Sequence, residues 1–179
     1  MKKLLIPLIL FIVVVLEGVA LNLLPSNIVL GDTYIIPHWA LAVLLFSVLF
    51  YDKENTYYSV LYAAIFGLLI DIVYTSVLGV YMFSYTLVIF LMHSVRGRFH
   101  GNFYVTMLLG VFSIALGDLI IHFIYLTAGL TEIAWSGYLL QRMLPTVLLN
   151  LIFLIVLYPL LASRFERWQY EQLASHRSF

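Results

Sequence analysis

Cysteine is absent from the 179 residues, which excludes disulfides, thiolate nucleophiles and Cys-based zinc sites. Charge is scarce: Asp, Glu, Lys and Arg make up 10% of the chain, against about 25% in ordinary soluble domains. Nine bases offset nine acids, so no net-basic surface suits nucleic acid. There is no G-x-S-x-G, which leaves a serine-hydrolase elbow unsupported. There is no H-E-x-x-H, P-loop or G-x-G-x-x-G, and the five histidines are scattered. No zinc site is indicated, and neither a metal nor a cofactor is expected. Repeats, low-complexity segments and a soluble domain are not evident either.

What the chain does have is apolar surface in long blocks. Hydrophobic residues are 64% of the total and mean hydropathy is +1.05. Both values point to an all-α integral membrane protein. A membrane span needs roughly 20 mainly apolar residues, and six segments qualify: 4–24, 35–51, 57–75, 77–94, 103–127 and 141–162. The N-terminal run follows Lys2 and Lys3 as a signal peptide would. It is too long for a typical signal core and no A-x-A-like site follows, so it reads as a retained first span. Pro37 is expected in the first turn of the second span. Spans 3 and 4, separated only around Thr75 and Ser76, are expected to form a tight helical hairpin. The chain reads as a single domain of six spans with a tail at 163–179. That tail has two readings, an interfacial helix or a frayed polar end.

Base placement gives the orientation. Lys2, Lys3, Lys53, Arg96, Arg98, Arg164, Arg167 and Arg177 fall on one side, and Arg142 alone falls on the other. The positive-inside rule therefore predicts that both termini are cytoplasmic. Tyr57, Tyr58, Tyr104, Trp135 and Trp168 lie at the predicted interfaces, where aromatic belts belong.

Three acids lie inside spans: Glu17, Asp71 and Asp118. Counted from the cytoplasmic end at about 1.5 Å per residue, each arrives roughly 20 Å up. Arg142 opens the last span near the same level. Ionisable groups in hydrocarbon face the bundle interior and pair with one another. The four are therefore expected to form a buried polar cluster, and which acid pairs with Arg142 stays open. Helical spacing extends the cluster. Arg142, Thr146 and Asn150 stand at successive i+4 positions, and Asp118 and His122 stand at i, i+4. Gly67, Asp71 and Thr75 repeat that spacing, with the small Gly67 one turn below the acid. Asn22 lies near the outer end of span 1, in the cluster or at the interface. His38, after Pro37 at a span entrance, and His100, in a cytoplasmic loop, read as surface residues. The plainer account of the cluster is interhelical glue. The sharper one is a ligand pocket or a partner-coupling site. An Asp118–His122 acid–base pair has no nucleophile or water activator beside it.

The run Gly67-Leu-Leu-Ile-Asp71-Ile-Val-Tyr74-Thr75-Ser76-Val-Leu78-Gly79-Val-Tyr81-Met-Phe83 resembles the central signature of the MreD family of rod shape-determining membrane proteins. Two further features agree with that family: Glu17 in span 1, and Gln-Arg142-Met-Leu-Pro145-Thr146-Val-Leu-Leu-Asn150 at the start of the last span. The resemblance covers essentially the whole chain and is looser in span 5. It implies a non-enzymatic subunit of the cell-elongation machinery in the bacterial cytoplasmic membrane. The implied partners are MreC first, then MreB, RodA and a penicillin-binding transpeptidase. It also implies the six-helix fold of the substrate-binding components of energy-coupling-factor vitamin transporters. A small-molecule binder of that transporter type is the alternative function.

Overall fold

The computed structural model describes residues 4–23, 34–52, 56–98, 102–131, 133 and 135–176. Lys2, Lys3, Lys53, His100, Arg177 and most of the stretch between the first two apolar segments, 25–34, lie outside the described residues. So do the surroundings of the Asn22 side chain. Among the described residues there are six helices of twelve residues or more and no strand. They are α1 (Leu5–Leu23), α2 (Trp39–Phe50), α3 (Tyr58–Tyr74), α4 (Val80–Val95), α5 (Phe103–Thr127) and α6 (Leu144–His176). A short 3-10 turn, Arg96–Arg98, follows α4. A helical turn at Trp135–Gly137 and a π-helical stretch at Tyr138–Met143 lead into α6.

Helix α2 is the axis of the bundle. Of its twelve residues, Ala40 to Val48 and Phe50 are all buried. It touches α1, α3, α4, α5 and α6, as a helix apolar on all sides must if it is to cover itself. The longest apolar helices are α5 and the stretch from Tyr138 to Tyr170, both long enough to cross a membrane by length and composition. The remaining four are shorter apolar helices.

Three expectations change. The second apolar segment, 35–51, is not helical throughout: residues 34–38 are non-helical and α2 begins only at Trp39. Pro37 therefore lies in an irregular strap rather than in a first helical turn. At about 1.5 Å per residue, α2 extends only some 18 Å, so the strap completes its path across the bundle. The last span and the tail form one helix. Helix α6 continues through Pro159 to His176, so 163–179 is neither a separate interfacial helix nor frayed over its described part. Phe165 is fully buried, and the Gln169 side-chain amide donates to the Asp52 carbonyl at 3.0 Å. Third, the hairpin turn is longer than Thr75 and Ser76 alone and occupies 75–79.

The bundle has two polar ends. One gathers Ser47, Asp52, Ser59, Arg96 and Gln169. There the Ser59 hydroxyl donates to Ser47 Oγ at 2.8 Å and Arg96 Nη1 donates to the Val48 carbonyl at 3.0 Å. Asp52 Oδ2 accepts the Ser59 N–H at 3.1 Å. Burial pushes the Asp52 carboxyl up to about 6, against the downward pull of the Ser59 bonds and Arg96. The other end carries the candidate site.

A buried polar network at the candidate functional site

All seven polar residues expected in the interior are buried: Glu17, Asp71, Asp118, His122, Arg142, Thr146 and Asn150. They do not form one cluster around Arg142, however. Each of the three acids satisfies a different part of the fold.

Asp71 caps the next helix. The start of α4 leaves N–H groups without intrahelical partners, and Asp71 accepts three of them: Gly79 at 2.9 Å, Tyr81 at 2.9 Å and Met82 at 3.0 Å. The negative charge also lies at the positive end of the helix dipole. Such reach needs α3 and α4 to approach closely. A Cβ on Gly67 would fall 2.7 Å from Met82 Cα, so only glycine fits. Gly79 turns the chain with φ of 96°, a left-handed conformation that favours glycine. Thr75 closes the turn, its hydroxyl lying 3.0 Å from the Asp71 carbonyl and 2.9 Å from that of Val77. Ser76 is exposed in the same turn.

Asp118 is the hub. Arg142 donates to its Oδ1 through Nε at 3.1 Å and Nη2 at 2.9 Å. The Tyr138 hydroxyl donates to Oδ2 at 2.9 Å. His38 Nε2 lies 3.4 Å from Oδ1, and His38 Nδ1 lies 2.8 Å from the Tyr85 hydroxyl. Arg142 thus pairs with Asp118. Both it and Tyr138 stand on the π-helical stretch, a form frequent at functional sites. Pro145, which lacks an N–H, follows just inside α6. His122 does not pair with Asp118 as the i, i+4 spacing suggested. Its ring stacks on Tyr138 at 3.9 Å between centroids, and neither ring nitrogen finds a hydrogen-bond partner.

The Thr146–Asn150 stripe holds the strap. The Ile36 N–H donates to Thr146 Oγ1 at 3.1 Å and the His38 N–H to Asn150 Oδ1 at 2.8 Å. Asn150 Nδ2 returns a bond to the Ile36 carbonyl at 2.9 Å. The Tyr34 N–H reaches the Gln141 carbonyl at 2.7 Å. Backbone without helical bonds needs partners of this kind wherever water is excluded.

Glu17 caps α2, accepting the Ala40 N–H at 3.2 Å. His38 is the residue that sequence reasoning missed. It reads as a surface histidine, yet it is fully buried and joins Asp118, Tyr85 and Asn150. No periodic signal marks it, because it lies on the strap and not on a helix face. Among the described residues no group of three or more His, Cys, Asp or Glu could hold a metal ion.

The site defines a class first. This is an all-helical bundle whose interior charges bind helix ends, an irregular strap and one another. The family profile "rod shape-determining protein MreD" matches residues 2–166, and the chain belongs to that family. It is 29% identical over 157 residues to the rod shape-determining protein MreD of Bacillus subtilis (strain 168), covering 88% of this chain and 90% of that protein. No solved structure matches the chain.

Proposed function

We propose that the chain is a non-enzymatic, multi-pass subunit of the bacterial cell-elongation machinery that helps maintain rod shape and lateral peptidoglycan synthesis. It sits in the cytoplasmic membrane with both termini in the cytoplasm. Its main partner is MreC, within a larger complex that includes MreB, RodA and a penicillin-binding transpeptidase. The observation that carries this reading, beside family membership, is the inverted surface. Large apolar side chains stand exposed on the long helices, among them Phe11, Ile65, Phe90, Phe112 and Ile152, while Glu17, Asp71, Asp118 and Arg142 are buried. That arrangement suits lipid as solvent. It leaves helix faces as the main area for contact with a partner. The common end of Arg96 and the distal part of α6, joined through Val48 and Asp52, agrees with a cytoplasmic side.

An apolar groove of about 200 Å³, lined by Val60, Phe83, Thr86, Leu87 and Phe90 between α3 and α4, is the seat this reading offers a partner helix. Photo-crosslinkers placed in turn at Phe83, Phe90, Leu148 and Ile152 test it in cells. MreC is expected to be trapped from Phe83 and Phe90 and not from the α6 positions. Trapping from α6 alone would move the seat. No trapping from any of the four positions, at normal protein level and rod shape, would remove both faces as the seat and overturn this partner reading.

The second reading is a vitamin-binding component with the energy-coupling-factor transporter fold, and a cavity beside Glu17 speaks for it. At about 180 Å³ it falls below the roughly 300–1,000 Å³ typical of small-molecule sites. We therefore favour the scaffold.

A further inference from the structure

Glu17 differs from the other two interior acids in what is left open. Asp71 receives three backbone N–H groups. Asp118 receives an arginine, a tyrosine and a histidine. Glu17 receives the Ala40 N–H, and no second hydrogen bond or cation reaches its carboxyl from a described residue. Arg142, the base nearest this level in sequence, is committed to Asp118.

Glu17 is also an acid that borders a cavity. The space, about 180 Å³, is walled by Gly18, Ile36, Pro37, Ile70, Tyr74 and Tyr81 around the Glu17 side chain. One wall is fixed in place: Tyr74 lies across Gly18, leaving no room for a Cβ there, and donates its hydroxyl to the Val14 carbonyl at 3.0 Å. Its walls come from α1, the strap, the last turns of α3 and the first turn of α4. It is many times larger than the space one water requires.

We propose that this cavity binds a primary ammonium group, carried either by a small free amine or by an aminophospholipid headgroup. A buried carboxylate with one hydrogen bond is costly, and a cation bearing several N–H donors offsets that cost through charge-assisted bonds. Tyr74 and Tyr81 border the same space, and aromatic rings attract cations. A quaternary ammonium brings charge but no donor, and an anionic headgroup is repelled by Glu17. The cavity shares no lining residue with the groove offered to a partner helix, so this inference does not depend on the partner reading.

The test uses the full chain in nanodiscs of equal phosphatidylethanolamine, phosphatidylcholine and phosphatidylglycerol, released into native mass spectrometry. One phosphatidylethanolamine per chain is expected, favoured about tenfold over the other two, as one charge-assisted hydrogen bond would give. Glu17→Gln keeps an acceptor for the Ala40 N–H and should abolish the preference. Ile70→Phe should lower retention by filling the cavity without touching the carboxyl, and it serves if the glutamine variant does not fold. Ethanolamine added in solution distinguishes the sources. Saturable binding lost in Glu17→Gln, without lipid preference, assigns the site to a free amine. Equal retention of the three lipids with no ethanolamine binding, or an unchanged preference in Glu17→Gln, overturns the proposal.

Discussion

Asp71 and Asp118 are both fully buried, yet they hold different kinds of structure. Asp71 is answered by backbone N–H groups eight to eleven residues away in the same hairpin. Asp118 is answered by side chains 20, 24 and 80 residues away, on the π-helical stretch and the strap. The first is a local device that needs only a glycine beneath it and a turn beyond it. The second exists only when the whole bundle is assembled. Equal burial and equal formal charge thus give one acid a role in making a hairpin and the other a role in closing the fold.

The comparison breaks most sharply at Arg142. Arg142→Ala takes the guanidinium from the buried Asp118 carboxyl and leaves it Tyr138 and His38 alone, and breaking a buried pair in this way costs about 3–5 kcal/mol. Thermal unfolding in detergent should show that loss, and adding Asp118→Asn should recover much of it. No recovery would mean that the two groups are not energetically coupled. Asp71→Ala should cost less, about 2–3 kcal/mol, for lost charge-assisted bonds at one helix end. Its effect should add to that of Arg142→Ala, since separate hydrogen-bond systems do not couple. A strongly non-additive double mutant would show instead one shared network.

The smallest effect belongs to the opposite end of the bundle. Asp52 has its carboxyl raised from 3.8 to about 6 by burial. The folded protein then holds a proton that the unfolded chain has released, so stability falls as pH rises between those values. Between about pH 5 and about pH 7 the loss is about 1 kcal/mol. Asp52→Asn should remove that slope from the unfolding midpoints while leaving the effects of Arg142→Ala and Asp71→Ala unchanged.

The sequence made the burial of these groups legible because a carboxyl in an apolar run has few places to go. The hairpin was legible too: Gly67, Asp71, Thr75 and Gly79 each do there what their chemistry suggests. Helix α5 occupies the expected 103–127. Hydropathy does not distinguish a buried helix from a buried irregular strap, so 35–38 reads as the start of a span. Asp71's true partners are backbone N–H groups, which every residue but proline carries, so they leave no mark in the sequence. His38 stayed hidden for the related reason that its contacts follow no helical period. The continuation of α6 past residue 162 was masked by the change from apolar to polar composition, which alters the surroundings of a helix without ending it.

The strap also orders events in time. Its hydrogen-bond partners, Gln141, Thr146 and Asn150, lie more than a hundred residues later in the chain. A ribosome adding about 5–20 residues per second takes several seconds to reach them. Until then the amides of Tyr34, Ile36 and His38 have no native acceptors, so α2 cannot settle at the centre of the bundle. The segment made second is among the last to be seated, and truncation before residue 150 should leave the early helices formed but unassembled.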